Sequence, residues 1–201
     1  MAKYWEGRLI RLRGIEPEDA DTHYNLDQQD DISRYQWIMN PPVSRAATRK
    51  WIEGASVERS KHDEFTAQME TLVDGTLVGS IATHHSDQRV GVFSYGIHVE
   101  EPHRGKGYAK EAICLVLRYL FQELRYQKCN VDVMEINVPS QKLHEALGFQ
   151  LEGRRRRVVY THGEFSDMLE YGMTLEEFRD LHSDYWREDR GAVGQHGDRH
   201  S

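Results

Sequence analysis

The chain has 201 residues, a formal net charge of −7, 38% hydrophobic and 29% charged residues, and two cysteines. This composition predicts one soluble globular domain with its own core, and two cysteines are too few for a disulfide framework. No apolar run approaches ~18 residues, so we expect no membrane span. The negative charge disfavours non-specific nucleic-acid binding and mildly favours a cationic substrate.

The start of the chain, Met1 to Glu6, lacks the apolar centre of a signal peptide. Cys114 lies in a helical pattern and Cys129 near the start of a strand pattern. We therefore expect a cytoplasmic protein whose two thiols are reduced and structural.

The first part of the chain alternates strand and helix patterns. In order, they predict a strand from Gly7 to Arg13, a helix from Pro17 to about Gln29, an irregular segment from Asp30 to Val43, a helix capped by Ser44 that runs to about Arg59, and a hairpin of Phe65 to Met69 with Leu77 to Thr83 around Asp74-Gly75.

The second part begins with a strand from Val90 to Val99 and a long amphipathic helix from about Gly107 to Leu124. There follow a strand from Lys128 to Glu135, a short helix from Ser140 to Leu147 closed by Gly148, a hairpin of Phe149 to Tyr160 with Phe165 to Met173, and a helix from Leu175 to about Trp186. We thus predict one domain over residues 1–186 and a mobile polar tail over 187–201.

A glycine-rich loop lies between the strand ending at Val99 and the long helix. Residues 102 to 109 read Pro-His-Arg-Gly-Lys-Gly-Tyr-Ala. Glycines allow close backbone approach to a ligand, and a helix start offers unpaired N–H groups and a positive dipole end. The loop therefore predicts a phosphate-bearing ligand, although a glycine pair before a helix also suits a plain turn. It matches neither the Walker loop nor the dinucleotide fingerprint.

A second motif extends from Asn137 to Phe149, Asn-Val-Pro-Ser-Gln-Lys-Leu-His-Glu-Ala-Leu-Gly-Phe. With the loop from Arg104 to Ala109, it resembles the two signatures of the GNAT superfamily of acetyl-CoA-dependent N-acetyltransferases, with His144 where tyrosine is common. The segments Leu12 to Ala20 and Tyr160 to Asp167 are similar to the Rim-type branch, which includes N-terminal acetyltransferases of ribosomal proteins and lies near the polyamine and antibiotic acetyltransferases. The resemblance covers roughly residues 7–180.

The resemblance implies an α+β fold in a single GNAT-type domain. Its central twisted sheet of about seven strands is mixed but mostly antiparallel, flanked by helices, with a V-shaped splay between the fourth and fifth strands. Here these are the strands ending at Val99 and Glu135, which we expect to be adjacent and parallel. In the family the pantetheine arm of the cofactor enters that gap.

Acetyl-CoA is the co-substrate that the resemblance implies, with no metal. Its pyrophosphate would bind the loop formed by Arg104, Gly105, Lys106, Gly107, Tyr108, Ala109 and Lys110. The side chains of Lys106 and Lys110 could equally be solvated. The backbone of Ile97, His98 and Val99 would lie beside the pantetheine arm, as would Asn137 and Ser140. Ser140 also suits the N-cap of the short helix.

The implied reaction is direct acetyl transfer to a primary amine in a ternary complex. An alkyl amine has a pKa near 10.4, so a base would help. Relatives often use a Glu where this chain has Ser94, which cannot act alone. Glu135 is a substitute, or else a solvated carboxylate. His144 could protonate the departing thiol, or could be a helix histidine without a catalytic role.

The acceptor is left open between a protein α-amino group, whose pKa of about 7.7–8.0 needs less help, and a small cationic amine. Tyr35 and Trp37 lie where the family often covers the acceptor, although such aromatic residues could equally be core. The loss of the family's Glu and Tyr leaves a non-catalytic acyl-CoA-binding sensor as an alternative. A homodimer is common in this branch, and the oligomeric state stays open.

Two further features suggest other ligands. The run Arg154 to Arg157 could be surface charge paired with nearby acids, part of a dimer edge, a cofactor-phosphate contact or a nucleic-acid patch, and the acidic chain disfavours the last. His84 and His85 should point apart on a strand. Without a helical His-x-x-x-His or Cys-x-x-Cys motif, we predict no metal site.

Overall fold

A seven-stranded sheet forms the centre of the computed structural model, which describes residues 3–27, 41–60 and 62–187. The strands are β1 (Ile10–Arg13), β2 (Thr66–Thr71), β3 (Leu77–Asp87), β4 (Val92–Val99), β5 (Lys128–Met134), β6 (Gln150–Thr161) and β7 (Glu164–Thr174). Their order is β1-β2-β3-β4-β5-β7-β6, and every pair is antiparallel except β4–β5. The predicted α+β class with one mixed, mostly antiparallel sheet is confirmed.

Six helices accompany the sheet in the described ranges. They are α1 (Ala20–Asp27), α2 (Arg45–Val57), α3 (Tyr108–Arg118), α4 (Val138–Leu147), α5 (Leu175–Leu181) and α6 (Ser183–Arg187). Short 3₁₀ turns occupy Pro17–Asp19 and Glu101–His103. None of these helices is long and apolar enough to cross a membrane.

Helix α3 packs on one face of the sheet, and every residue from 111 to 118 is buried. The long helix predicted to reach Leu124 stops being α-helical at Arg118 and continues as a π-helical turn over Tyr119–Glu123. The single terminal helix predicted to Trp186 is divided at His182, whose Nε2–H donates to the carbonyl of Leu147 at 2.8 Å.

The opposite face of the sheet is more polar and lies under α1 and the turn before it. On β1, Ile10 and Leu12 belong to the core, whereas Arg13 points the other way and pairs with Asp19 at 2.8 Å. On β2, Gln68 lies 3.3 Å from His23 of α1. The alternation of side chains along each strand thus separates an apolar core from a polar surface that can receive a substrate.

The sheet opens between β4 and β5. Their parallel pairing joins Val92–Lys128, Phe93–Cys129 and Ser94–Asn130, and both strands then continue apart to Val99 and Met134. This opening, which we call the splay, is the predicted gap between adjacent parallel strands. The fifth strand ends one residue before the predicted Glu135.

Local signals in the sequence account for several element ends. Ser44 caps α2 by accepting from the Ala47 N–H at 3.2 Å, as predicted. Gly148 closes α4 with φ of 93°. His162 and Gly163 form the β6–β7 turn with positive φ at both residues, which is the geometry that a two-residue hairpin turn favours.

The prediction for His84 and His85 is wrong. His85 has φ of 52° at a register shift of the β3–β4 ladder, so its side chain does not alternate with that of His84. The two rings contact edge to face with centroids 4.9 Å apart. Within the described ranges no group of three or more His, Cys, Asp or Glu residues is placed to hold a metal ion.

Some predictions fall on residues that are not described. These include the end of the first helix at Gln29, most of the irregular segment from Asp30, and the candidate acceptor residues Tyr35 and Trp37, which all lie within 28–40. Residues 188–201 of the predicted tail also lie outside the described ranges.

Candidate active site

The glycine-rich loop leads directly into α3, as the sequence predicts. Gly107 is the N-cap residue, with φ of 87° and no side chain to cap the helix, and Gly105 has φ of 75°. The first intrahelical acceptor is the carbonyl of Gly107, which receives the N–H of Glu111. The earlier N–H groups of α3 are therefore available to an anion at the positive end of the helix dipole.

A cavity of about 470 Å³ lies beside this loop. Eleven of the twelve predicted cofactor residues line it: Ile97, His98, Val99, Arg104, Gly105, Gly107, Tyr108, Ala109, Lys110, Asn137 and Ser140. Lys106 is exposed and does not line the cavity. Three lining residues were missed by the sequence analysis, namely His103, Pro139 and Leu143.

Two hydrogen bonds fix the walls of this cavity. The Arg104 Nε–H donates to the Val99 carbonyl at 3.0 Å, which holds the loop against the end of β4. On the other wall, Asn137 Oδ1 accepts from the Ser140 N–H at 3.1 Å. Asn137 is therefore the N-cap of α4, and the assignment of that role to Ser140 is wrong. Pro139 in the first turn indicates this earlier start of α4, because proline favours the first positions of a helix.

A second cavity of about 540 Å³ lies across the splay, toward the polar face of the sheet. It shares four lining residues with the first, namely Ile97, His98, Asn137 and Ser140. Ser94 lines this second cavity, as do His84 and His85. The two cavities thus adjoin at these four residues, one beside the glycine-rich loop and the other toward the polar face.

His144 is buried at the inner end of the second cavity, 1% exposed. Its Nδ1–H donates to the Ser140 carbonyl at 2.8 Å, so Nε2 accepts from the Tyr95 hydroxyl at 2.9 Å. Burial lowers the pKa of His144, against a smaller upward effect of the bond to Ser140. Burial also raises the pKa of Tyr95 well above its usual value. The pair therefore holds one proton between Tyr95 Oη and His144 Nε2.

Glu135 lies outside the lining of both cavities, and its carboxylate accepts from Arg154 at 2.5 Å. Arg154 also donates to Asp167 at 2.6 Å. Arg155 pairs with Asp132 and with Glu170. These contacts support the interpretation of this arginine run as surface charge paired with nearby acids.

Comparison with known proteins settles the family. A model of the acetyltransferase (GNAT) domain matches residues 9–150. The chain belongs to the GNAT family of acetyltransferases. It is 43% identical over 175 residues to the SPbeta prophage-derived uncharacterized N-acetyltransferase YokL of Bacillus subtilis, covering 87% of this chain and 95% of YokL. Its enzyme class is that of the N-acetyltransferases.

Other GNAT proteins are more distant. A Bacillus subtilis protein, YdaF, whose name proposes a ribosomal N-acetyltransferase, is 27% identical over 171 residues, covering 84% of this chain and 93% of YdaF. The crystal structure of a spermidine N-acetyltransferase from Vibrio cholerae with CoA and spermine superposes with a TM-score of 0.72 at 21% identity, covering 84% of this chain and 97% of that one. At this identity the superposition shows the shared fold.

Proposed function

We propose that the protein transfers the acetyl group of acetyl-CoA directly to a primary amine in a ternary complex. The observation that carries the proposal is the pair of adjoining cavities, which share Ile97, His98, Asn137 and Ser140 at the splay. A thioester entering from the glycine-rich loop and an amine entering from the polar face would meet at these residues. Bringing the reacting atoms together in this way can account for a large part of the rate enhancement.

The residues of the first cavity suit acetyl-CoA. The free N–H groups at the start of α3 and the charges of Arg104 and Lys110 would hold its phosphates, and Gly105 and Gly107 keep the loop clear of side chains. Bound there, acetyl-CoA supplies an acetyl group activated as a thioester. Ile97 and Val99, on the open edge of β4, can offer backbone groups to the arm.

Tyr95 and His144 are the proposed donors to the departing sulfur. The Tyr95 hydroxyl can give its proton to the departing thiolate, and the Tyr95 oxygen then regains a proton from solvent and donates again to His144 Nε2. His144 alone would donate from Nε2 only as an imidazolium, which its burial opposes. We therefore propose that His144 acts together with Tyr95.

For the acceptor, the second cavity favours a protein α-amino group over a polyamine. Of the described residues that line it, Asp132 is the one acid, and it already pairs with Arg155. A polyamine carries several ammonium groups that need carboxylate partners, whereas an α-amino group carries at most one charge. The likeness to YdaF supports an α-amino acceptor and a place in the Rim-type branch. Because the spermidine enzyme from Vibrio cholerae shares the fold, small amines are also included in the acetylation assay.

Location and oligomeric state complete the proposal. Cys114 and Cys129 are both buried and free, which suits a reducing, cytoplasmic location. A non-catalytic acyl-CoA sensor finds no support in the site or among the relatives. Light scattering on the sample used for the assay tests whether the protein is a homodimer.

The deciding experiment is an acetylation assay across peptides with free α-amino groups, polyamines, amino acids and aminoglycosides. CoA release and the mass of each product are both measured. We expect a mass increase of one acetyl group on at least one peptide α-amino group. Binding of acetyl-CoA without transfer to any amine of the panel would favour the sensor instead.

A further inference from the structure

Three buried polar atoms near the acceptor side have no hydrogen-bond partner in the described part of the chain. They are Gln68 Nε2, His98 Nε2 and Glu100 Oε1. An unpaired buried polar group is unfavourable, so three of them on one side of the sheet call for a functional explanation.

These three side chains share the polar face of the sheet. Gln68 on β2 pairs with Ser80 on β3, and Ser80 pairs with His98 on β4. Gln68, Ser80 and His98 therefore form a row across adjacent strands. Glu100 lies two residues beyond His98 and continues the ladder by donating its N–H to the Val78 carbonyl. The period of two along a strand places Glu100 on the same face as His98.

His98 differs from the other two in its position. It lines both cavities, whereas neither Gln68 nor Glu100 lines either one. A residue on the wall that both cavities share stands where a thioester from one side and an amine from the other must meet. Ser94 lines only the second of the two cavities, and Glu135 lines neither cavity.

The surroundings of His98 keep its imidazole neutral. Burial, followed by the charge of Arg104 on the loop and by His23 on α1, lowers the pKa of His98 to about 4. Gln68 and Ser80, its neighbours on the sheet, are uncharged, and burial raises the pKa of Glu100. At neutral pH the imidazole is therefore uncharged, and one of its ring nitrogens carries a lone pair.

We propose that His98 Nε2, rather than Ser94 or Glu135, takes the proton that the acceptor amine loses during acetyl transfer. This inference rests on the proposed function. As the neutral amine nitrogen bonds to the acetyl carbon, the carbon–sulfur bond breaks with its electron pair on sulfur. One N–H proton passes to His98 Nε2 and then to solvent, and the sulfur takes up one proton. Because the nitrogen becomes more acidic as it bonds to the carbonyl carbon, a weak base is sufficient.

The test compares His98→Gln with His162→Gln, in which an exposed histidine of the β6–β7 turn is replaced. We expect His98→Gln to lower kcat with the active peptide by about 10²–10⁴-fold, with unchanged thermal unfolding and unchanged CoA binding by calorimetry. The acidic limb of its kcat/KM profile against pH should also be altered. His162→Gln should match the wild type in each measurement.

A second readout needs no turnover. In histidine-labelled protein, the NMR signal lost in His98→Gln should titrate well below the ordinary value of 6.5. A signal that titrates near 6.5 overturns the inference, as does a His98→Gln protein that turns over within a few-fold of wild type. A wild-type protein that acetylates no amine overturns the proposed function instead, and this inference with it.

Discussion

The carboxylate of Glu111 occupies the space that a side chain at Gly7 would need. Both of its oxygens accept from the backbone, namely from the N–H groups of Arg8 at 2.6 Å and of Leu9 and Ile10 at 2.8 Å. The contact joins the segment before β1 to the first turn of α3. That turn begins at the glycine-rich loop, so Glu111 ties the proposed phosphate site to the edge of the sheet.

Replacing Glu111 by Gln should therefore destabilise the whole domain. The amide keeps one acceptor oxygen but turns its NH₂ group toward backbone donors, so charge-assisted bonds worth about 1.5–3 kcal/mol are lost. Urea unfolding measures the change in the free energy of unfolding. The control is Glu123→Gln, which removes the same charge from an exposed position. Equal stability of the two variants would show that the Glu111 contacts contribute little.

Gly107→Glu should abolish acetyl-CoA binding while the fold persists. A side chain at φ of 87° is strained, and its charge would face the phosphates. We expect binding at least about 100-fold weaker by calorimetry, which corresponds to about 2.8 kcal/mol. Gly163→Glu introduces similar backbone strain, at φ of 79°, in the remote β6–β7 turn, where nothing crowds the new side chain. Unchanged affinity in Gly107→Glu would remove the phosphate site from this loop.

His144→Ala should lower both stability and turnover. The Tyr95 hydroxyl would lose its partner in a buried site, which costs about 1–3 kcal/mol. If the pair serves the departing sulfur, kcat per folded molecule should fall by about 10²–10⁴-fold with little change in the KM for acetyl-CoA. His144→Tyr should recover part of the loss, since a phenol is common at this position in the family. Tyr95→Phe separates the roles, because it removes the hydroxyl and leaves the imidazole. Folded His144→Ala protein with nearly normal kcat would end the hypothesis.

Acid should weaken the link between β1 and the turn before α1. Burial alone would raise the pKa values of Asp19 and Glu70, but hydrogen bonds from the Arg13 side chain to both carboxylates outweigh it. The backbone N–H of Glu16 also donates to Asp19, and the Arg11 side chain also donates to Glu70. Both pKa values therefore lie below their ordinary values. A carboxylate whose pKa is lower in the folded than in the unfolded state stabilises the protein above about pH 4. That stabilisation is lost as the pH falls through the pKa of the folded state.

The Asp19→Asn variant should accordingly be less stable than wild type at pH 7, with a smaller difference at about pH 2–3. Thermal unfolding at a series of pH values measures this, with the exposed Asp180→Asn as control. A gap between wild type and Asp19→Asn that stays constant with pH would contradict the assigned role of the ion pairs.

Local signals made much of this fold predictable. The glycine pair before an apolar helix predicted the loop and α3, and the turn residues at 162–163 predicted the last hairpin. The N-cap of α4 was wrongly predicted because Asn137 and Ser140 are both good N-cap residues, and it is Pro139 in the first turn that favours the earlier one.

Features that depend on distant contacts were not predictable. Glu111 meets residues about one hundred positions earlier, and the row of Gln68, Ser80 and His98 exists because of the register of three strands. The family resemblance predicts a place for His98 beside the cofactor through its backbone. That its Nε2 has no partner in the described part of the chain depends on the fold, in which β3 lies beside β4 and β2 lies beyond β3. The edge-to-face contact of His84 and His85 likewise depends on a positive φ that no sequence pattern announced.

The splay also has a consequence for self-association. A sheet that opens between two central strands has unpaired edges in its middle as well as at its rim, and such edges can recruit extended segments of other chains. An extended ligand that carries amide groups would occupy the edge of β4 in the manner of an added strand. We therefore expect the ligand-free protein to aggregate faster on warming than the protein saturated with CoA, beyond the difference that their thermal stabilities explain. The gap proposed to admit the co-substrate is thus also a place where strand edges are open to other polypeptides.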